Sequence, residues 1–121
     1  MRYLLLIYNE ETGQMEGASA EQQAAEMQKW DDYGKWLTDK GWIRGGDALQ
    51  PSAQATTVRV RKGETLTTDG PFAETKEQLG GYYEVECQNL DQAIEAASRI
   101  PSVGTGSIEV RPIMEFDTPH K

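Results

Sequence analysis

Side chains able to do chemistry crowd into one stretch of this sequence, Thr67-Thr68-Asp69-Gly70-Pro71-Phe72-Ala73-Glu74-Thr75-Lys76-Glu77. A carboxylate such as Asp69 accepts a substrate proton when its surroundings raise its pKa. Lys76 is suited to holding a carboxylate or steadying negative charge that develops during a reaction. Phe72 offers an apolar wall, and Glu74 a further hydrogen-bond acceptor. Outside the stretch, Asp47 follows Gly45-Gly46 directly and Tyr82 follows Gly80-Gly81. Arg59, on a neighbouring strand, is placed to meet an anion. The candidate set is therefore Asp47 and Asp69 as proton acceptors, with Arg59, Phe72, Glu74, Lys76 and Tyr82 as ligand contacts.

Each of these residues also has a structural reading, and spacing does not choose between the two. Asp69 either faces a ligand or bonds its own turn. Phe72 either walls a pocket or anchors the loop. Glu74 and Lys76 either line a cleft or form exposed ion pairs, and Arg59 with Arg61 either meets an anion or makes a solvated strand face. Asp31 and Asp32 are adjacent on a helix and point apart, so they are not a catalytic pair. Asp31, Asp32, Asp47, Asp69 and Glu74 supply hard oxygen ligands, but no spacing defines a closed metal shell. No nucleotide signature or Ser-His-Asp arrangement is present, so neither a metal nor a cofactor is expected.

The elements that position these groups follow from hydrophobic period and punctuation. Residues 2–8 read as a strand apolar on both sides, hence central. After a polar loop, Ser19 caps a helix from about Ala20 to Lys40, whose stripe is Ala24, Met27, Trp30, Gly34 and Leu37. Trp30 is read as packing on the sheet. Tyr33 and Trp36 either border a ligand cleft or dimer contact, or pack in the core. Gly41 ends the helix, and Trp42–Leu49 forms a strand in which Gly45-Gly46 marks a bulge or a close approach to a ligand.

Thr56–Arg61 and Thr65–Thr68 flank Lys62-Gly63-Glu64 as a hairpin with one wet side. Tyr82–Cys87 is a strand with Tyr83, Val85 and Cys87 inward. Asn89 caps a helix through about Ile100, burying Ala93, Ile94, Ala97 and Ile100. Ser107–Phe116 is a last strand, which Pro112 assigns to an edge or a bulge. The expected architecture is α+β, with two helices on one face of a mostly antiparallel sheet. Residues 1–116 form a single domain and 117–121 a short polar tail. A free apolar sheet face favours a homodimer.

Composition sets the outer limits. The chain has 121 residues and a formal charge of −8, which argues against a nucleic-acid surface. The one cysteine, Cys87, rules out an intramolecular disulfide and is expected as a buried thiol. No run approaches the roughly 20 apolar residues of a membrane span, and no signal-peptide pattern opens the chain. A soluble cytoplasmic protein is expected.

The residues Met1 to Tyr8, Gly45-Gly46-Asp47-Ala48-Leu49-Gln50, Thr56 to Val60, Asp69 to Gly81 and Val110-Arg111-Pro112-Ile113 together resemble the YCII-related family, in its DGPF-motif branch. Asp69-Gly70-Pro71-Phe72 carries the branch resemblance. It implies a ferredoxin-like fold, paired as a homodimer in the dimeric α/β-barrel group, with clefts beside the sheets. That group includes enzymes acting on small molecules, so a small polar or aromatic ligand is implied. The association of some family members with extracytoplasmic-function sigma factors implies the alternative of a noncatalytic regulatory protein with a protein partner. Other YCII-related proteins carry a His-Asp pair proposed for catalysis. Here the single histidine is His120, in the tail, and Trp30-Asp31-Asp32-Tyr33 supplies none, so that mechanism lacks its base.

Overall fold

The structure, a computed structural model, describes residues 1–11, 17–73 and 75–116. The strand β1 (Arg2–Asn9) is apolar on both sides because it is central: it pairs antiparallel with β5 (Gln78–Glu86) and with β6 (Ser107–Pro112). With β2 (Ile43–Ala48) beside β5, the sheet is four-stranded in the order β2-β5-β1-β6. The helix α1 (Ala20–Lys40) joins β1 to β2 around β5, and α2 (Leu90–Ser98) joins β5 to β6 around β1. Two such split β-α-β units make the ferredoxin-like arrangement. A second, two-stranded sheet, β3 (Thr56–Arg61) with β4 (Glu64–Asp69), is inserted between β2 and β5.

Strand alternation gives the sheet a covered face and an open one. Tyr3, Leu5 and Ile7 of β1, with Val85 of β5, are buried beneath the helices; Leu4, Leu6 and Tyr8 are half-buried on the open face. Leu37 of α1 and Ala93, Ala96 and Ile100 from the α2 region close the core. Truncating a side chain as buried as Leu37 to Ala costs about 2–5 kcal/mol, through lost transfer energy and the cavity left behind. Tyr33 joins this core because its polar tip is satisfied: its hydroxyl donates to the Ala96 carbonyl at 2.8 Å. Burial pushes the Tyr33 phenol well above its usual pKa. Cys87 is buried as expected.

The caps agree with the sequence. Ser19 accepts from the Gln22 amide, with the Gln22 side chain returning the bond, and Gly41 takes φ 73°, the left-handed conformation of a C-terminal cap. The helical stripe does not agree throughout. Ala24 is exposed and Met27 is 67% exposed, whereas Tyr33 is buried and Trp36 half-buried. The buried residues of α1 lie in its second half, and Trp30 at its middle packs partly buried against the same core, as the sequence assigned it. Trp36 packs edge-on against Trp42 at 5.6 Å, with the Arg99 guanidinium 4.6 Å from its ring centre.

Further differences have local causes. Ile94 is exposed and Ala96 buried, because the short α2 turns its alanines to the sheet. It ends at Ser98 rather than at Ile100, whose amide instead closes a turn on the Ala97 carbonyl. The hairpin exposes Val58 and Val60 and half-buries Thr57 and Arg59, so its wet side is the apolar one. The hairpin stands in its own sheet, and its Thr57–Arg59 side meets the loop that follows β4. The last strand, on the sheet edge, stops at Pro112, short of Phe116; the Ile113 amide still donates to the Arg2 carbonyl at 3.0 Å, where the partner strand β1 itself begins.

Candidate functional site

Two glycines set how closely β2 and β5 approach. A Cβ on Gly46 would lie 2.7 Å from the Tyr82 carbonyl oxygen and 2.9 Å from Cδ1 of Tyr83. One on Gly81 would lie 2.9 Å from the Asp47 carbonyl oxygen. These contacts are between strands, so Gly46 serves strand packing first. The glycines also leave a floor without side chains on the helix-covered face. Over it, between Trp30 of α1 and the strands, lies a cleft of about 350 Å³. Ile7, Asn9, Ala48, Gly80 and Tyr83 join its lining, with Asp47 and Tyr82 at its border.

Apolar surface makes most of this lining. Among the described residues, the Asn9 amide, the Trp30 indole N–H and the Tyr83 hydroxyl make no hydrogen bond, although all three residues face the cleft. Tyr83 is held by an edge-on contact with Tyr33 at 5.2 Å. Its phenol is pushed above the usual pKa by burial, so it stays a neutral donor at physiological pH. A concave apolar space with a few convergent polar groups is the general form of a small-molecule site.

Asp47 and Tyr82 border the same cleft through their main chain, but alternation turns their side chains to the open face. They are directly opposed across β2 and β5, and the Tyr82 hydroxyl donates to Oδ2 of Asp47 at 2.8 Å. That bond, then the Asp47 charge, raises the Tyr82 pKa. The row continues to Leu6 of β1 and Glu109 of β6. Alongside it, Arg2 pairs with Glu84 at 3.3 Å and with Glu115 at 2.9 Å.

The stretch after β4 is stapled to the hairpin. The Gly70 amide donates to the Ala55 carbonyl at 2.6 Å, and the Thr57 hydroxyl to the Gly70 carbonyl at 2.8 Å. Arg59 Nη2 donates to the Phe72 carbonyl at 3.3 Å. Main chain and these two side chains therefore hold the bend, while the Asp69 carboxylate makes no hydrogen bond among the described residues. Asp69 and Lys76 line an open recess with Glu10, Glu11 and Ser52. Lys76 is 86% exposed at its side chain and pairs with Glu10 at 3.3 Å. Phe72, 79% exposed, borders another recess with Tyr8, Leu49 and Leu79. Glu74 and His120 lie outside the described residues.

The structure thus brings Asp47 and Tyr82 together, groups Asp69 with Lys76 elsewhere, and sets Phe72 and Arg59 on the hairpin side. The residues that line the helix-side cleft, Asn9, Ala48 and Tyr83, were absent from the candidate set. The signal for them was present: paired glycines on two strands imply a bare floor, and Trp30 was already assigned to the sheet. Tyr33 and Trp36 border a shallow recess with Lys29 and Arg99, apart from the cleft floor. Among the described residues, no group of three or more His, Cys, Asp or Glu is placed to hold a metal ion. No described helix is long and apolar enough to cross a membrane.

A relative from Rhizobium meliloti (strain 1021), an uncharacterised protein, is 37% identical over 115 residues, covering 93% of this chain and 92% of the relative. The YCII-related domain matches residues 1–117. By that match and by that relative, the chain belongs to the YCII-related domain family.

Proposed function

We propose that this YCII-related domain binds a small molecule in the cleft between Trp30 and the glycine floor of β2 and β5. The observation that carries the reading is that Asn9, Trp30 and Tyr83, whose side-chain polar atoms make no hydrogen bond among the described residues, line one aromatic-walled space of about 350 Å³. Such a volume falls in the range of small-ligand pockets, roughly 300–1,000 Å³. The Asp69–Phe72 bend, which supports assignment to the DGPF-motif branch, acts in this reading as a structural staple on the hairpin.

The same reading includes a homodimer built on the open face. Leu4, Leu6 and Tyr8 are half-buried there without a helix over them, and a second sheet would cover them. The cleft lies on the opposite face, so dimerisation leaves its floor accessible.

The test is ligand-observed NMR with a fragment library on the native protein and on Ala48→Trp, which fills the cleft from an exposed position. Fragments that bind the native protein are expected to lose binding in Ala48→Trp and to keep it in Asp69→Ala. Retention of all hits by a folded Ala48→Trp protein would overturn the assignment.

A further inference from the structure

We infer that the cleft selects an uncharged aromatic molecule bearing a hydrogen-bond acceptor such as a carbonyl oxygen, an assignment that rests on the cleft being the binding site. Charge is the first argument. Among the described residues the lining holds no Lys or Arg, and its one carboxylate, on Asp47, is turned to the other face and engaged by Tyr82. A ligand carboxylate or phosphate entering the cleft loses water and gains no counter-ion, and an ammonium meets no carboxylate. Unpaired charge in a desolvated space is strongly disfavoured.

Shape and donor balance supply the rest. Trp30 forms one wall and Tyr83 another, with Ile7 and the side-chain-free Gly81 beneath. Flat floor and aromatic walls favour a planar ring over a branched or extended chain. The indole N–H only donates, the Tyr83 hydroxyl donates and accepts, and the Asn9 amide carries two N–H donors beside one carbonyl oxygen. Donors therefore outnumber acceptors, and the ligand polar atom they satisfy is an acceptor. Leaving that atom out of the ligand forfeits the bond without relieving any charge.

A matched naphthalene series separates these elements: 2-acetylnaphthalene, 2-ethylnaphthalene, 2-naphthoate and 2-naphthylmethylamine, titrated by calorimetry against native protein, Tyr83→Phe, Asn9→Ala and Ala48→Trp. The acetyl compound is expected to bind at least about tenfold more tightly than either charged analogue. It should exceed the ethyl compound by about two- to tenfold, the worth of one hydrogen bond. Tyr83→Phe, or Asn9→Ala if the former does not fold, should shrink that second margin and leave the ethyl compound unchanged. A charged analogue binding best, with loss in Ala48→Trp, would overturn the ligand class and keep the site. Equal binding of acetyl and ethyl compounds would also overturn the class. If no member of the series binds, or binding persists in Ala48→Trp, the site itself is overturned.

Discussion

Gly45 and Gly46 are neighbours in β2, yet replacing each by alanine should have opposite consequences. A Cβ on Gly45 meets nothing within 4 Å, whereas one on Gly46 falls 2.7 Å from a β5 carbonyl oxygen and 2.9 Å from the Tyr83 ring. The oxygen belongs to a ladder strand, so it moves only with the sheet. Overpacking of this kind costs about 1–3 kcal/mol. With an unfolding entropy of roughly 2.1 cal/mol/K per residue, that is a fall in Tm of about 4–12 °C. Gly45→Ala should be neutral or stabilising by up to about 1 kcal/mol, because alanine narrows the unfolded ensemble. Urea titration of both variants, checked for an unchanged m value, measures the difference. Equal destabilisation by the two, or a neutral Gly46→Ala, would refute the strand-contact argument. A neutral Gly46→Ala that nevertheless lost ligand would assign the glycine to the ligand instead.

Two further outcomes follow from the surface. The native protein should sediment as a dimer and Leu6→Glu as a monomer, since Leu6 lies mid-row on the open face; a native monomer would refute the paired arrangement. The Glu11 carboxylate is held below its ordinary pKa of 4.5 by bonds from the Ser52 hydroxyl and amide. A depressed carboxylate stabilises the fold above its unfolded pKa, and that contribution is lost as pH falls through the folded value. Ser52→Ala should therefore lower stability near neutrality and flatten its decline below about pH 4.5, read from urea midpoints across the acid range. A native-like acid decline in Ser52→Ala would count against the bond.

Much of the fold was legible because period and punctuation agreed. The two-sided apolar run at Tyr3–Tyr8 required a central strand, and β1 has partners on both edges. Ser19, Gly41 and Asn89 marked helix ends by chemistry that is local in sequence. The stripe through Ala24 and Met27 misled because period reports which residues share a face and not whether anything lies beneath it. Likewise, alternation in Thr56–Arg61 named two faces correctly and gave the apolar one to the interior. A hairpin outside the main sheet has no interior of its own, so Val58 and Val60 stay exposed.

The site was harder to read for a reason that lies in strands themselves. Chemical interest attaches to residue type, so Asp47, Asp69, Lys76 and Tyr82 stood out, and proximity in sequence suggested one pocket. Placement along β2 and β5 follows a period of two, and one step along either strand crosses the sheet. Asp47 and Tyr82 thus share the open face, while Ala48, Gly81 and Tyr83, one residue away, share the cleft. A one-residue register slip between β2 and β5 would exchange the sets, putting a carboxylate into the cleft and turning it toward cations. The glycine contacts oppose that slip, because Gly46 must face Tyr83 and Gly81 must face Ala48 for the strands to approach. The residues with no side chain therefore decide which charge the pocket presents.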